Sequence, residues 1–235
     1  LLSIEQMALL LFSLFFSRLY LDITANGIRT GLASAMLLWV MFSIAYRVNY
    51  YSLILLPFIF GVHPFLFFLC IIFFGSAFLV RQKIIRYFFF SSCIVYLFGV
   101  GPEFIGGVLE SATFMKNVYG NYYDILIDYR SSYEIKTLFI LYIIFPSLLL
   151  VRLDSRFIMI NKADKYFINI TLLLNASCLF FYESFPLSLR IFGISFPVLM
   201  FLLIKYKTKI NEVYCFGMVI ISGLIIVKNV GQYLA

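Results

Sequence analysis

Residues 48–80 read VNYYSLILLPFIFGVHPFLFFLCIIFFGSAFLV, 33 positions without an Asp, Glu, Lys or Arg. As one helix this run would be about 50 Å long, against a bilayer hydrocarbon core of about 30 Å. At its middle stands Gly61-Val62-His63-Pro64. Pro64 disfavours a helical conformation in the residue before it, and Gly61 tolerates non-helical angles. The run therefore reads as two apolar segments meeting at a tight turn, with His63 beside it.

The rest of the chain has the same character. Of 235 residues 63% are apolar and only 12% charged, with 29 Phe and 17 Tyr and a mean hydropathy of +1.02. So few polar residues cannot cover a soluble globule, and so much apolar surface argues against disorder. The composition predicts an all-α protein, a polytopic transmembrane helical bundle. About nine spans are expected, at residues 7–22, 30–46, 49–63, 65–80, 87–102, 136–151, 166–183, 190–204 and 213–228. They form a single transmembrane domain over 1–235, interrupted by one long extracytoplasmic loop at 103–135. Leu1 enters an apolar stretch directly, with no basic leader and no small-residue cleavage site, so the reading expects no signal peptide and further residues before Leu1.

Charge assigns the two faces. Arg47 and three basic groups (Arg81, Lys83, Arg86; Arg152, Arg156, Lys162, Lys165; Lys205, Lys207, Lys209) go to one face together with Glu5, Asp154, Asp164 and Glu212. That face holds 11 bases against 4 acids, and the other holds 7 against 7, out of 18 and 11 in all. By the positive-inside rule the first face is cytoplasmic, which predicts residence in a bacterial cytoplasmic (inner) membrane. Basic loops account for the net charge of +7 without nucleic acid. Cys70, Cys93, Cys178 and Cys215 are scattered through apolar runs and read as small buried hydrophobes. With no CxxC pair and no His/Cys cluster, neither metal nor cofactor is expected.

The outer face then gathers the candidate chemistry. Asn26-Gly-Ile-Arg29-Thr-Gly31-Leu-Ala-Ser-Ala35 repeats small residues at Gly27, Gly31 and Ala35, a spacing that lets a second helix approach closely. Arg29 falls in the first turn, where a helix N-terminus already favours an anion such as phosphate. Arg190, after Glu183-Ser-Phe-Pro186, opens another segment from the same face; it is a second phosphate contact or a partner for Glu183. His63 is the single histidine and reads as a general base or a packing residue. The loop carries Glu103, Glu110, Tyr122, Tyr123, Asp124, Asp128 and Arg130. Tyrosine rings can stack on pyranose faces while carboxylates accept sugar hydroxyls; the competing reading is an interfacial aromatic belt. The sequons at Asn169 and Asn175 lie inside a predicted span and are chance matches.

These motifs bear a family likeness. Ile28-Arg29-Thr30-Gly31-Leu32-Ala33 resembles the Ile-Arg-Gln-Gly-Leu-Ala pattern of the EpsG-type branch of Wzy-like O-antigen and exopolysaccharide polymerases, with Thr30 in place of Gln. His63, followed here by Pro64, and Arg190 match the later His and Arg of that pattern. The resemblance implies a membrane glycosyltransferase of the GT-C type. Such an enzyme moves a glycan from undecaprenyl pyrophosphate to the non-reducing end of another lipid-linked unit. It also implies a lipid-linked oligosaccharide substrate, surrounding membrane lipids and a chain-length regulator or flippase as partners. Arg29 and Arg190 would stabilise the leaving pyrophosphate without a metal. His63, Glu103, Glu110, Asp124 or Asp128 would take the acceptor's proton. A lipid-linked glycan flippase, an O-antigen-ligase-like transferase and a non-catalytic scaffold remain alternatives.

Overall fold

The computed structural model describes residues 3–15, 28–46, 50–62, 71–72, 75–77, 79–98, 140–156, 160–182, 185–206, 208–218 and 220. Among them the elements are helical throughout. In chain order these are α1 (Ile4–Phe15), α2 (Ile28–Ala45), a 3-10 turn (Tyr50–Ile54), α3 (Leu55–Val62) and α4 (Gln82–Phe98). A π turn (Ile140–Ile144), α5 (Phe145–Arg156), α6 (Lys162–Phe180) and α7 (Phe185–Lys205) follow. Residues 209–218 form a further helical segment.

Local chemistry explains where two of these helices begin. Ser3 and Gln6 form a capping box on α1: the Gln6 amide N–H donates to Ser3 Oγ at 3.2 Å and the Ser3 N–H to Gln6 Oε1 at 2.9 Å. Asn161 caps α6 by accepting from the Ala163 N–H at 3.2 Å, and Asp164 adds a negative charge in the first turn.

The antiparallel pair α6 and α7 forms the centre. At one end Lys205 meets Asp164. At the other, Ser188 Oγ donates to the Cys178 carbonyl at 2.8 Å while Cys178 Sγ lies 3.4 Å from the Ser188 carbonyl. α4 lies along α6, α5 packs on both central helices, and α1 and α2 pack on α7. Phe167, Phe192 and Phe196 are fully buried in the shared core, with Tyr142 reaching Phe192 and Phe196.

Among the described residues, no helix is long and apolar enough to cross a membrane. This overturns the expected nine-span bundle, the membrane-glycosyltransferase architecture drawn from it and the inner-membrane placement. The physical reason is where the charges fall. The expected spans leave all the charges of α2 and α4 to α7 but Arg29 and Arg190 in the loops between, whereas the helices run through them. Arg29 lies in α2, Lys83 and Arg86 in α4, Arg152 and Asp154 in α5, Lys162, Asp164 and Lys165 in α6, and Arg190 and Lys205 in α7. The uncharged runs left inside the longer helices, 30–45, 87–98, 166–180 and 191–204, are about 12 to 16 residues each, short of the ~20 that a crossing needs. The first half of the 48–80 run is also broken up, into a five-residue 3-10 turn and the eight-residue α3.

The small-residue stripe of α2 behaves differently from its sequence reading as well. The buried face is Ala33, Ser34, Leu37, Val40 and Met41, a helical i, i+3/i+4 pattern. Ala35 is exposed and Gly31 half-buried, so Gly31 and Ala35 do not define the packed face.

α6 also buries polar groups. Asn175 Nδ2 donates to Ser147 Oγ at 2.7 Å, but Thr171 is fully buried and its Oγ1 has no hydrogen-bond partner among the described residues. A buried hydroxyl left unpaired costs on the order of 1–3 kcal/mol. Thr171→Val keeps the shape and removes the hydroxyl. It should raise the urea midpoint by an amount equivalent to about 1 kcal/mol; a lower midpoint would show that the hydroxyl is bonded in solution.

Candidate functional site

The sequence candidates divide by position. His63, Glu103, Glu110, Tyr122, Tyr123, Asp124, Asp128 and Arg130 lie outside the described residues. Arg29 and Arg190 stand on described helical backbone, Arg29 in the first turn of α2 and Arg190 as the sixth residue of α7.

The packing of α2 on α7 fixes how those two positions relate. Phe42 and Phe201 have ring centroids 5.0 Å apart, edge to face. One turn further on, Lys205 Nζ donates to Tyr46 Oη at 3.3 Å. Both pairs have the same offset of 159 residues, so the two helices run parallel and in step. Carried back along both helices, the offset puts Arg29 level with Ser188. Neighbouring helix axes lie about 8–10 Å apart. Two helix N-termini and two arginine positions thus share one end of the bundle. The last turn of α6 closes that end, and so does the edge-to-face pair Tyr96 and Tyr182, 4.9 Å between centroids.

The opposite end holds a charged cluster that the sequence reading did not find. Asp164 is fully buried. Tyr46 donates to its Oδ1, and Tyr206 and Lys205 donate to Oδ2, the ammonium at 2.6 Å. The Lys205 ammonium also lies 5.1 Å from the Tyr46 ring centre, 5.6 Å from that of Phe201 and 5.8 Å from that of Tyr206, within cation–π range. Burial, then the hydrogen bond to Asp164 and its charge, push the Tyr46 phenol far above its ordinary value, and the same causes raise Tyr206. Neither phenol serves as a base near neutral pH.

The sequence reading assigned Asp164 and Lys205 to solvated loops because each sits in a basic run, Lys162-Ala-Asp164-Lys165 and Lys205-Tyr-Lys207. The available signal was the acid in a helix-opening turn, together with a tyrosine ending each of two apolar runs, Tyr46 before Arg47 and Tyr206 after Lys205.

Chemically the two ends differ. The Asp164 cluster is closed: the carboxylate receives three donors and the ammonium is held against three rings, so it clamps α2, α6 and α7 together. The other end holds the N-termini of α2 and α7, with Arg29 and Arg190 on their backbones.

No family model, curated protein or solved structure matches this chain.

Among the described residues, no group of three or more His, Cys, Asp or Glu side chains could hold a metal ion. Burial holds the thiols of Cys93 and Cys215 in the protonated form. Burial pushes the Cys93 thiol up to about 12, and burial with the nearby Glu212 charge pushes Cys215 to the same value.

Proposed function

We propose that the chain transfers a glycan repeat unit from undecaprenyl pyrophosphate to the non-reducing end of a second carrier-linked unit, the activity implied by its resemblance to Wzy-like polymerases. One observation supports the reading: α2 and α7 run parallel, so their N-terminal ends, on which Arg29 and Arg190 stand, lie at the same end of the bundle. When the glycosidic bond to the carrier breaks, negative charge builds on the pyrophosphate. In this proposal Arg29 and Arg190 supply charge-assisted donors for it. Arg offers a planar fork that grips two phosphate oxygens, which Lys does not. His63, or an acid of the 103–135 segment, is the proposed base for the acceptor hydroxyl, and Tyr122 and Tyr123 the proposed sugar platform. This proposal concerns the chemistry alone and includes no membrane crossing.

The test is polymerisation of purified undecaprenyl-pyrophosphate-linked repeat units in detergent. Arg29→Ala should lower turnover by about 100-fold or more, the loss typical of removing one donor from a developing anion. Arg29→Lys should recover only part of it, and Lys83→Ala, at the opposite end, should leave turnover unchanged. If the contact tightens as the bond breaks, kcat falls more than donor affinity. Near-normal turnover in an Arg29→Ala protein with unchanged helicity would remove Arg29 from the reaction.

A further inference from the structure

α4 turns one side to the bundle and the other away from it. The inner side is Ile85, Phe89, Ser92, Cys93 and Tyr96. The outer side carries Ile84, Tyr87, Phe88, Ile94, Leu97 and Phe98, each between 41 and 77% exposed. With roughly 150–250 Å² per aromatic side chain and less per aliphatic one, that leaves on the order of 600 Å² of apolar surface on one helix. Monomeric proteins rarely expose more than a few hundred Å² in one patch. Pairing two such faces buries about 1,200 Å² in total, where stable protein–protein interfaces begin.

The order of residues on this side makes it complementary to itself. Ile84, Phe88, Ser91, Ile94 and Phe98 follow one another at spacings of four, three, three and four, and all five are exposed. That is one helical stripe, with a small residue at its centre and large ones on both sides. Turned end over end about Ser91, the stripe meets its own copy. Ile84 then opposes the partner's Phe98, Phe88 opposes the partner's Ile94, and Ser91 opposes its equivalent. Such reciprocity is what a two-fold interface requires, and the small central residue lets the two axes approach closely. Charge selects the same arrangement. α4 contains no Asp or Glu, and Arg81 and Lys83 stand exposed at its start. Antiparallel pairing carries them to the C-terminal end of the partner's helix, where the dipole favours cations. Parallel pairing would set the bases of the two copies side by side.

We propose that the outer side of α4 is the interface of a homodimer, in which a second copy of this chain packs its own α4 antiparallel across a two-fold axis at Ser91. The inference stands independently of the proposed transfer reaction, which uses none of these residues.

Sedimentation velocity of the full chain at micromolar concentrations tests it. The species should have twice the 27.3 kDa mass of one chain. Phe88→Glu and Ile94→Glu should each weaken dimerisation by about 100-fold or more, because each buries an unpaired charge twice over across the axis. Both positions are exposed, so the monomer should keep its fold, which circular dichroism checks. Trp39→Glu, on the exposed side of α2, should leave the dimer intact. Cysteine cross-linking reads the direction of pairing. Ser91→Cys should form an intermolecular disulfide on mild oxidation, and Lys83→Cys should stay at the wild-type background. A mass of one chain at every concentration would overturn the proposal, and vesicle binding lost in the two Glu variants would then give the face to a lipid surface. A dimer unchanged by Phe88→Glu and Ile94→Glu, or cross-linking as efficient at position 83 as at 91, would overturn it too.

Discussion

Asp164→Ala is expected to destabilise the protein by about 3–5 kcal/mol, the usual consequence of deleting one partner of a buried ion pair. The loss is this large because the carboxylate is fully buried and satisfies three donors at once. Without it, the Lys205 ammonium, whose side chain is only 24% exposed, keeps its charge but has lost its counter-charge. The hydroxyls of Tyr46 and Tyr206 lose their acceptor too. Urea unfolding followed by far-ultraviolet circular dichroism measures the loss, and one below about 1 kcal/mol would show that the cluster is not a clamp. The double change Asp164→Leu with Lys205→Met removes both charges and should cost much less than Asp164→Ala alone.

The same cluster sets an alkaline limit. Tyr46 and Tyr206 have folded values raised above the ordinary 10.0. Their contribution is therefore complete below pH 10 and is lost as the pH rises beyond it, because the unfolded phenols ionise first.

The second large effect is expected at Phe167. Phe167→Ala should cost about 3–5 kcal/mol through lost burial and the cavity left behind. The ring is fully buried and lies 4.6 Å from the Phe42 ring and 5.7 Å from that of Tyr46. It therefore supports the aromatic wall of the Asp164 cluster as well as the core. For that reason its effect should not add to that of Asp164→Ala: residues that share the partner Tyr46 couple. Phe58→Ala is the contrast. Phe58 is 59% exposed, and its loss should stay within about 0.5 kcal/mol. Denaturation midpoints of these three single variants and of the Phe167→Ala/Asp164→Ala double variant decide the matter, and strict additivity in the double variant would separate core from cluster.

Local sequence signals predict helices, and the described residues form helices at several of the expected places. The expected segments 30–46, 87–102, 166–183 and 190–204 all overlap helices of the structure. Apolar density and Gly/Pro punctuation are local signals, and helix formation is a local event. Arg29 in an opening turn was legible in the same way, since a cap and a first turn are written in consecutive residues.

Helix ends and environments were decided elsewhere. A charge was read as a loop because an isolated charge is costly to bury, but Asp164 escapes that rule through partners 41, 42 and 118 residues away. No window along the chain contains all four groups. The same holds for the buried face of α2. Gly31 and Ala35 look like a packing stripe, yet Ala33, Ser34, Leu37, Val40 and Met41 are what meet the core, because the neighbouring helices fix the rotation of α2 about its axis. Only the tertiary structure could show that α2 and α7 run in step. Arg29 and Arg190, 161 positions apart in sequence, stand at the same end of the bundle because the Phe42–Phe201 and Tyr46–Lys205 contacts at the far end make the two helices parallel.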